Sequence, residues 1–435
     1  MSSRFDPQGP LRGRIQAPPD KSISHRAALI GSICDEPVVI RNYLDSADTN
    51  STLQALRAVG VAAQWQGADV LVRGVGLRGA LEARDVVDVG NSGTLMRLLP
   101  GWLAGQPSGS WVLDGDESIR RRPMGRVVEP LRQMGANIEF ASAGTAPIIV
   151  NAAPLHGISY ELPVASAQVK ASILMAALTA DGETRIREPI PTRDHSERML
   201  FAAGIPIHRE GDEVILDGLV DELELGTIDV PGDISSAAFF VAAGLLVKNS
   251  RLIIENVGLN RTRTGFLTIC ERMGGVVISD RERSGEPIPY WEPVGEIDVA
   301  ATSLVGTTVE AVEVPLAIDE LPLVALLGCF ADGETVVRGA DELRHKESDR
   351  ITTVVDGLRG LGAEIEATDD GFVVNGTGSL PGGTIHSHGD HRLAMLGAIA
   401  GLASENGVEV VGMEAAAVSY PKFETDLKRL IGDEQ

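Results

Sequence analysis

"GDISSAAFFVAAGLLV", Gly232 to Val247, opens on a polar mouth and continues as a run that is apolar on every helical face. A helix of that kind has no side to offer water and belongs inside a domain. Its uninterrupted apolar part, Ala237 to Val247, is too short to cross a bilayer, so the interior it needs is a protein core. Five further segments share the pattern of polar mouth and apolar body: "DKSISHRAALIG" from Asp20, "GNSGTLMRLLPGWLA" from Gly90, "SAQVKASILMAALTA" from Ser166, "IDELPLVALLGCFA" from Ile318 and "GDHRLAMLGAIAGLA" from Gly389.

A second series interleaves with the first. "LRAVGV", "LRQMGA", "FAAGIP", "ERMGGV", "LRGLGA" and a worn "LKRLIG" place Gly60, Gly135, Gly204, Gly274, Gly362 and Gly432 at intervals of 69 to 88 residues. Each reads as an amphipathic helix stopped by a glycine in the left-handed conformation, and most run on into a short strand such as "ANIEF" or "AEIEA". Gly-bounded strands ("WVLDGD", "ETRIREP", "RLIIENV", "ETVVRGA", "VEVVG") follow the apolar helices. The class is therefore α/β, built from a unit of about 70 residues used six times.

At 435 residues the chain has room for two or three domains. Lys and Arg number 38 against 61 Asp and Glu, a formal net charge of -23 that repels nucleic acid and acidic membrane surfaces. The N-terminus lacks the apolar core of a signal peptide, which leaves the cytoplasm as the expected compartment. Cys34, Cys270 and Cys329 stand far apart in apolar stretches and read as small buried hydrophobes, with no disulfide or zinc spacing.

Basic residues gather at the helix mouths despite the acidic total: Lys21, Arg26, Arg97, Arg120 to Arg122, Lys170, Arg193, Lys346, Arg350 and Arg392. A helix N-terminus is itself an anion site, and guanidinium groups bind carboxylate and phosphate bidentately, so the expected ligands are small, multiply charged anions. A lone arginine there is more often a solvated helix-end charge; the recurrence in matching positions argues otherwise. The Asn and Ser of "GNSGT" serve equally well as N-caps. Two acids sit among these cations. Asp319 can cap a helix and Glu347 can face a helix dipole, or both can move protons in a charged site.

"PDKSISHR", "GNSGTLMR", "RRPMGRVVEPL", "SAQVK", "IDELP", "KESDR" and "GDHRLAM" together resemble the 5-enolpyruvylshikimate-3-phosphate synthase family across nearly the whole chain. The resemblance implies a two-domain inside-out α/β barrel, three repeats to a domain, with buried parallel helices and a cleft that closes around substrate. Residues 1–17 with 232–435 would form the domain holding both termini, and 18–231 an inserted domain, the chain crossing twice, near Pro18 and near "VPGD". It further implies that the enolpyruvyl group of phosphoenolpyruvate passes to the 5-hydroxyl of shikimate 3-phosphate through a tetrahedral intermediate that loses phosphate, with no cofactor or metal. Lys21, Ser22, Arg26, Ser166, Ala167, Gln168, Arg193, Asp319 and Lys346 would hold shikimate 3-phosphate. Lys21, Gly93, Arg122, Gln168, Arg350 and Arg392 would hold phosphoenolpyruvate. Asp319 corresponds to the proton acceptor and Glu347 to the proton donor, assisted by Lys21. The resemblance also implies a monomer, the usual state of relatives, and inhibition by glyphosate. The chain departs from many relatives near its C-terminus, where Val418 and Ser419 precede Tyr420-Pro421 and the nearby lysine, Lys422, follows the proline.

Rival readings are weaker. A UDP-N-acetylglucosamine enolpyruvyl transferase carries Lys-Asn where this chain has Lys21-Ser22, and a cysteine where Glu117 stands. "HSHGDH", His386 to His391, matches a metallohydrolase signature, but His391 is the last histidine in the chain and no downstream ligand follows. "GVGLRG", Gly74 to Gly79, satisfies a dinucleotide-binding pattern without a surrounding βαβ unit and reads as turns. The acidic composition opposes an RNA terminal phosphate cyclase. A noncatalytic phosphosugar-binding protein would need the cations but not Asp319 and Glu347 together.

Overall fold

The computed structural model describes residues 2–141, 144–282 and 291–431. It divides into two compact units, Met1–Pro18 with Pro231–Glu286 and Pro293–Gln435, and Pro19–Val230 with Pro287–Glu292. Trp291 and Glu292 also belong to the Pro19–Val230 unit, a return that the repeat pattern does not announce.

Each unit has its own apolar core. In the Pro19–Val230 unit three helices, Lys21–Ser32, Gly93–Ala104 and Ala167–Ala177, are buried along almost their whole length. The last two cross so closely that a Cβ on Gly101 would lie 2.2 Å from the Ser172 carbonyl oxygen, which is why glycine stands there. The other unit buries Ile234–Leu246, Leu321–Phe330 and His391–Ala403 in the same way. Strands such as Ala62–Gln66 and Asn137–Phe140 alternate buried and exposed residues, as sheets with one face on the core do.

Among the described residues, five of the six sheets repeat one topology. An edge strand pairs parallel with a second strand, which pairs antiparallel with a third, which pairs antiparallel with a fourth; Val87–Asp88, Ser110–Asp114, Ile148–Asn151 and Asn137–Phe140 are an example. The sixth has three strands, with N-terminal Ser2–Phe5 as its antiparallel member against Val408–Val411. Two edge strands are exchanged where the chain crosses. Arg12–Gln16 precedes the Lys21 helix yet pairs with Arg251–Gly258, and Thr227–Asp229 precedes the Ile234 helix yet pairs with Val38–Arg41.

The expected glycine stops are present. Gly60, Gly135, Gly204, Gly274 and Gly362 all take φ between 84° and 98° directly after their helices; Gly432 lies outside the described residues. The three cysteines are buried and free, and burial pushes the Cys34 thiol up to about 12.

Candidate functional site

In the Pro19–Val230 unit the polar mouths are built around N-caps. Asp20 accepts from Ile23 N–H, Ser92 from Leu95 N–H and Ser166 from Val169 N–H. The serine of "GNSGT" is thus a cap, and the cations around it supply the charge. Gly93, the first residue of its helix, leaves a gap: a Cβ there would lie 2.7 Å from Arg122 Nη1 and 3.1 Å from Arg97 Nη1. Arg122 is held by Asn91 Oδ1 at 2.9 Å and Ser118 Oγ at 3.1 Å. Arg97 donates to Gln168 Oε1 at 2.5 Å, and Gln168 Nε2 donates to Thr94 Oγ1 at 3.2 Å. Gly93, Arg122 and Gln168 are therefore brought together, with Arg97 as the link.

Lys21 pairs with Asp48 at 3.1 Å, and Arg26 donates to Ser196 Oγ at 2.8 Å and to the Ser22 carbonyl at 3.1 Å. Ser196 lies on the His195–Ala202 helix, which Arg193 immediately precedes, while Ser166 and Ala167 begin the helix that carries Gln168. Lys170 differs from its sequence reading. It is wholly buried and pairs with Glu188 at 2.8 Å and Glu197 at 2.6 Å. Burial works against its charge, but the two carboxylates reverse the balance and raise its pKa. Two residues along a helix is about 200° of rotation, so Lys170 turns away from Gln168 into the unit.

The second cluster belongs to the unit with both termini. Asp319 does not cap the Leu321 helix, whose N-cap is Glu320, without a side-chain cap bond. Four cations surround its carboxylate instead: Lys346 and Arg350 at 3.5 Å, Arg263 at 3.7 Å and Arg392 at 3.9 Å. Arg350 is buried and donates to Asp390 at 2.8 and 3.3 Å and to Glu347 at 2.5 Å. Burial would lower its pKa, but Asp390 and Glu347 raise it instead, so the guanidinium stays charged. Burial likewise opposes the Asp390 carboxylate, yet Arg350 brings its pKa below the usual value. Asp390 also caps the His391 helix, accepting from Arg392 N–H at 2.9 Å, which explains the aspartate in "HSHGDH". His386 ends a strand and His388 sits in the following turn with φ 52°, so only the first of the two is a strand residue.

Asp48 and Arg263 were not singled out from sequence. Each lies far along the chain from its partner, and no local pattern marks the pairing. Chemically, the first unit offers a cationic gap open to backbone, and the second offers three carboxylates, Asp319, Glu347 and Asp390, sharing one buried arginine. The first suits anion binding and the second proton transfer.

The EPSP synthase family, described as 3-phosphoshikimate 1-carboxyvinyltransferase, matches residues 5–427. The 3-phosphoshikimate 1-carboxyvinyltransferase of Bacillus cereus (strain G9842) is 47% identical over 421 residues, covering 97% of each chain, and that of Bacillus thuringiensis (strain Al Hakam) is 46% identical with the same coverage. An EPSP synthase structure from Acinetobacter baumannii superposes with TM-score 0.85 at 40% identity over 99% of this chain and 98% of that one. The enolpyruvyl transferase NikO from Streptomyces tendae shares the fold at TM-score 0.76 and 18% identity, covering 98% and 96% of the two chains.

Proposed function

The chain belongs to the EPSP synthase (3-phosphoshikimate 1-carboxyvinyltransferase) family, and from that premise we propose that it transfers the enolpyruvyl group of phosphoenolpyruvate to the 5-hydroxyl of shikimate 3-phosphate, with release of phosphate. The reaction is a step of the shikimate pathway toward aromatic amino acids. The finer architecture proposed with it is the inside-out arrangement of three repeats per domain. No helix among the described residues is long and apolar enough to cross a membrane. The proposed setting is a cytoplasmic monomer acting on small molecules.

Two multiply charged anions repel each other by about 1 kcal/mol per unit-charge pair at 4 Å in water, and more in a drier site. Cations must offset that before chemistry can begin. In the proposed assignment Lys21, Ser22, Arg26, Ser166, Ala167, Gln168, Arg193, Asp319 and Lys346 bind shikimate 3-phosphate. Lys21, Gly93, Arg122, Gln168, Arg350 and Arg392 bind phosphoenolpyruvate. Asp319 accepts the hydroxyl proton as oxygen attacks C2 of the enol, and Glu347, helped by Lys21, delivers a proton to C3. The tetrahedral adduct then loses phosphate from C2 and a proton from C3, which returns to the Glu347 carboxylate, and the enol double bond re-forms.

The observation that carries this reading is Arg350, whose guanidinium reaches both Asp319 and Glu347. A protein that only binds phosphosugars has no use for both Asp319 and Glu347 beside a buried cation that Asp390 already pairs. The test is phosphate release on mixing the protein with both substrates. Release that requires both supports the proposal; release with either omitted, or none with both, refutes it.

A further inference from the structure

We propose that Glu292 is a positioning residue for shikimate 3-phosphate binding: it clamps the start of the His195–Ala202 helix, which Arg193 immediately precedes and which supports Arg26. The inference rests on the assignment of those two arginines to that substrate.

Glu292 is buried, and its Oε1 lies 2.6 Å from His195 Nδ1, with side-chain exposures of 2% and 1%. A buried carboxylate persists only with a partner, so this contact is a fixed point. Among the described residues His195 Nε2 has no hydrogen-bond partner, which leaves Glu292 to set the orientation of the ring. One residue earlier, the Trp291 carbonyl accepts from Arg198 Nη1 at 3.2 Å, while Arg198 also donates to Asp194 at 2.9 and 3.1 Å. Residues 194–198 are thus tied to the Glu292 side chain and to the Trp291 backbone oxygen.

The same turn is tied to the substrate residues. Ser196 receives Arg26, and Glu197 pairs with Lys170 on the helix that begins at Ala167 and Gln168. Loosening the turn therefore releases Arg193 and Arg26, and leaves Asp319 and Glu347 untouched. Binding of shikimate 3-phosphate should weaken while the chemical step is preserved.

Glu292→Ala is expected to raise KM for shikimate 3-phosphate about tenfold, equivalent to 1.4 kcal/mol, with KM for phosphoenolpyruvate and kcat within about twofold of wild type. Glu292→Gln keeps an acceptor for the imidazole and should recover most of the loss. Should the alanine variant fail to fold, Glu292→Asp, whose shorter carboxylate withdraws from Nδ1, must show the same selective rise. A KM for shikimate 3-phosphate that does not move, or a fall in melting temperature with all kinetic constants changed together or not at all, overturns the proposal. Calorimetric binding of shikimate 3-phosphate to wild type and variant keeps the two readings apart. If wild type binds it without turnover, the proposed function fails, and the effect of the variants on binding still decides the role of Glu292.

Discussion

Replacing Gly93 with alanine tests the cation gap directly. Gly93 does not occupy the left-handed region, so its backbone accommodates alanine and only space changes. The new methyl would stand 2.7 Å from Arg122 Nη1, and ordinary contact begins at 3.4 Å, so the guanidinium must retreat by about 0.7 Å. Arg122 is a flexible side-chain end, which keeps the cost to folding small, within about 0.5 kcal/mol. Retreat nevertheless strains its bonds to Asn91 and Ser118, and bonds to a charged group contribute about 1.5–3 kcal/mol each. Losing about half of one such bond to the enol substrate corresponds to a roughly tenfold rise in KM for phosphoenolpyruvate. Glyphosate, the family's inhibitor, should be weakened further, since it must fill the same crowded space. Steady-state phosphate release at varied phosphoenolpyruvate and inhibitor, with a thermal melt, measures all three quantities. An inhibition constant that stays fixed, or a KM that stays fixed while the melting temperature falls, refutes the reasoning.

Asp319→Asn and Glu347→Gln should each lower kcat by about 10²–10⁴-fold, with shikimate 3-phosphate still bound on calorimetry; unchanged turnover would favour a receptor over an enzyme. Lys170→Ala leaves Glu188 and Glu197 buried without their shared cation and should destabilise the chain by about 3–5 kcal/mol in chemical unfolding, a loss under about 1 kcal/mol being the contrary result. Burial first, then the charges of Lys21 and Arg26, hold His25 well below its ordinary pKa of 6.5. The unfolded chain therefore takes up a proton there that the folded chain refuses, and stability should fall below pH 6.5 by up to about 1.4 kcal/mol per pH unit. His25→Gln should flatten that slope between pH 6.5 and 5, and identical slopes in the two proteins would count against a neutral His25.

The repeat was legible because it is local. Glycine after an amphipathic helix and apolar residues on all faces are patterns within one turn or one segment, and Gly60 and the Ile234 helix display them openly. The same holds for Gly93, Arg350 and Asp319, which stand at helix starts where anion chemistry is expected. What was not legible is non-local. Arg263 reaches Asp319 from 56 residues away, and Glu292 reaches His195 from 97. Strand exchange at the crossings depends on which sheet has an open edge, a property of the folded whole. Lys170 is intermediate, since helical periodicity alone separates its face from that of Gln168, and composition at the helix mouth concealed it.

The pairing of Ser2 with Val411 also bears on how the protein is made. A nascent chain completes the Pro19–Val230 sheets once Thr227–Asp229 has left the ribosome, apart from the clamp that arrives with Glu292. The first strand, in contrast, stays without its neighbour until Val408–Val411 is synthesised. From its own synthesis to that of Val408–Val411 the segment is an open edge, exposed to pairing with other chains, and its closure is among the most sequence-distant contacts the fold must form.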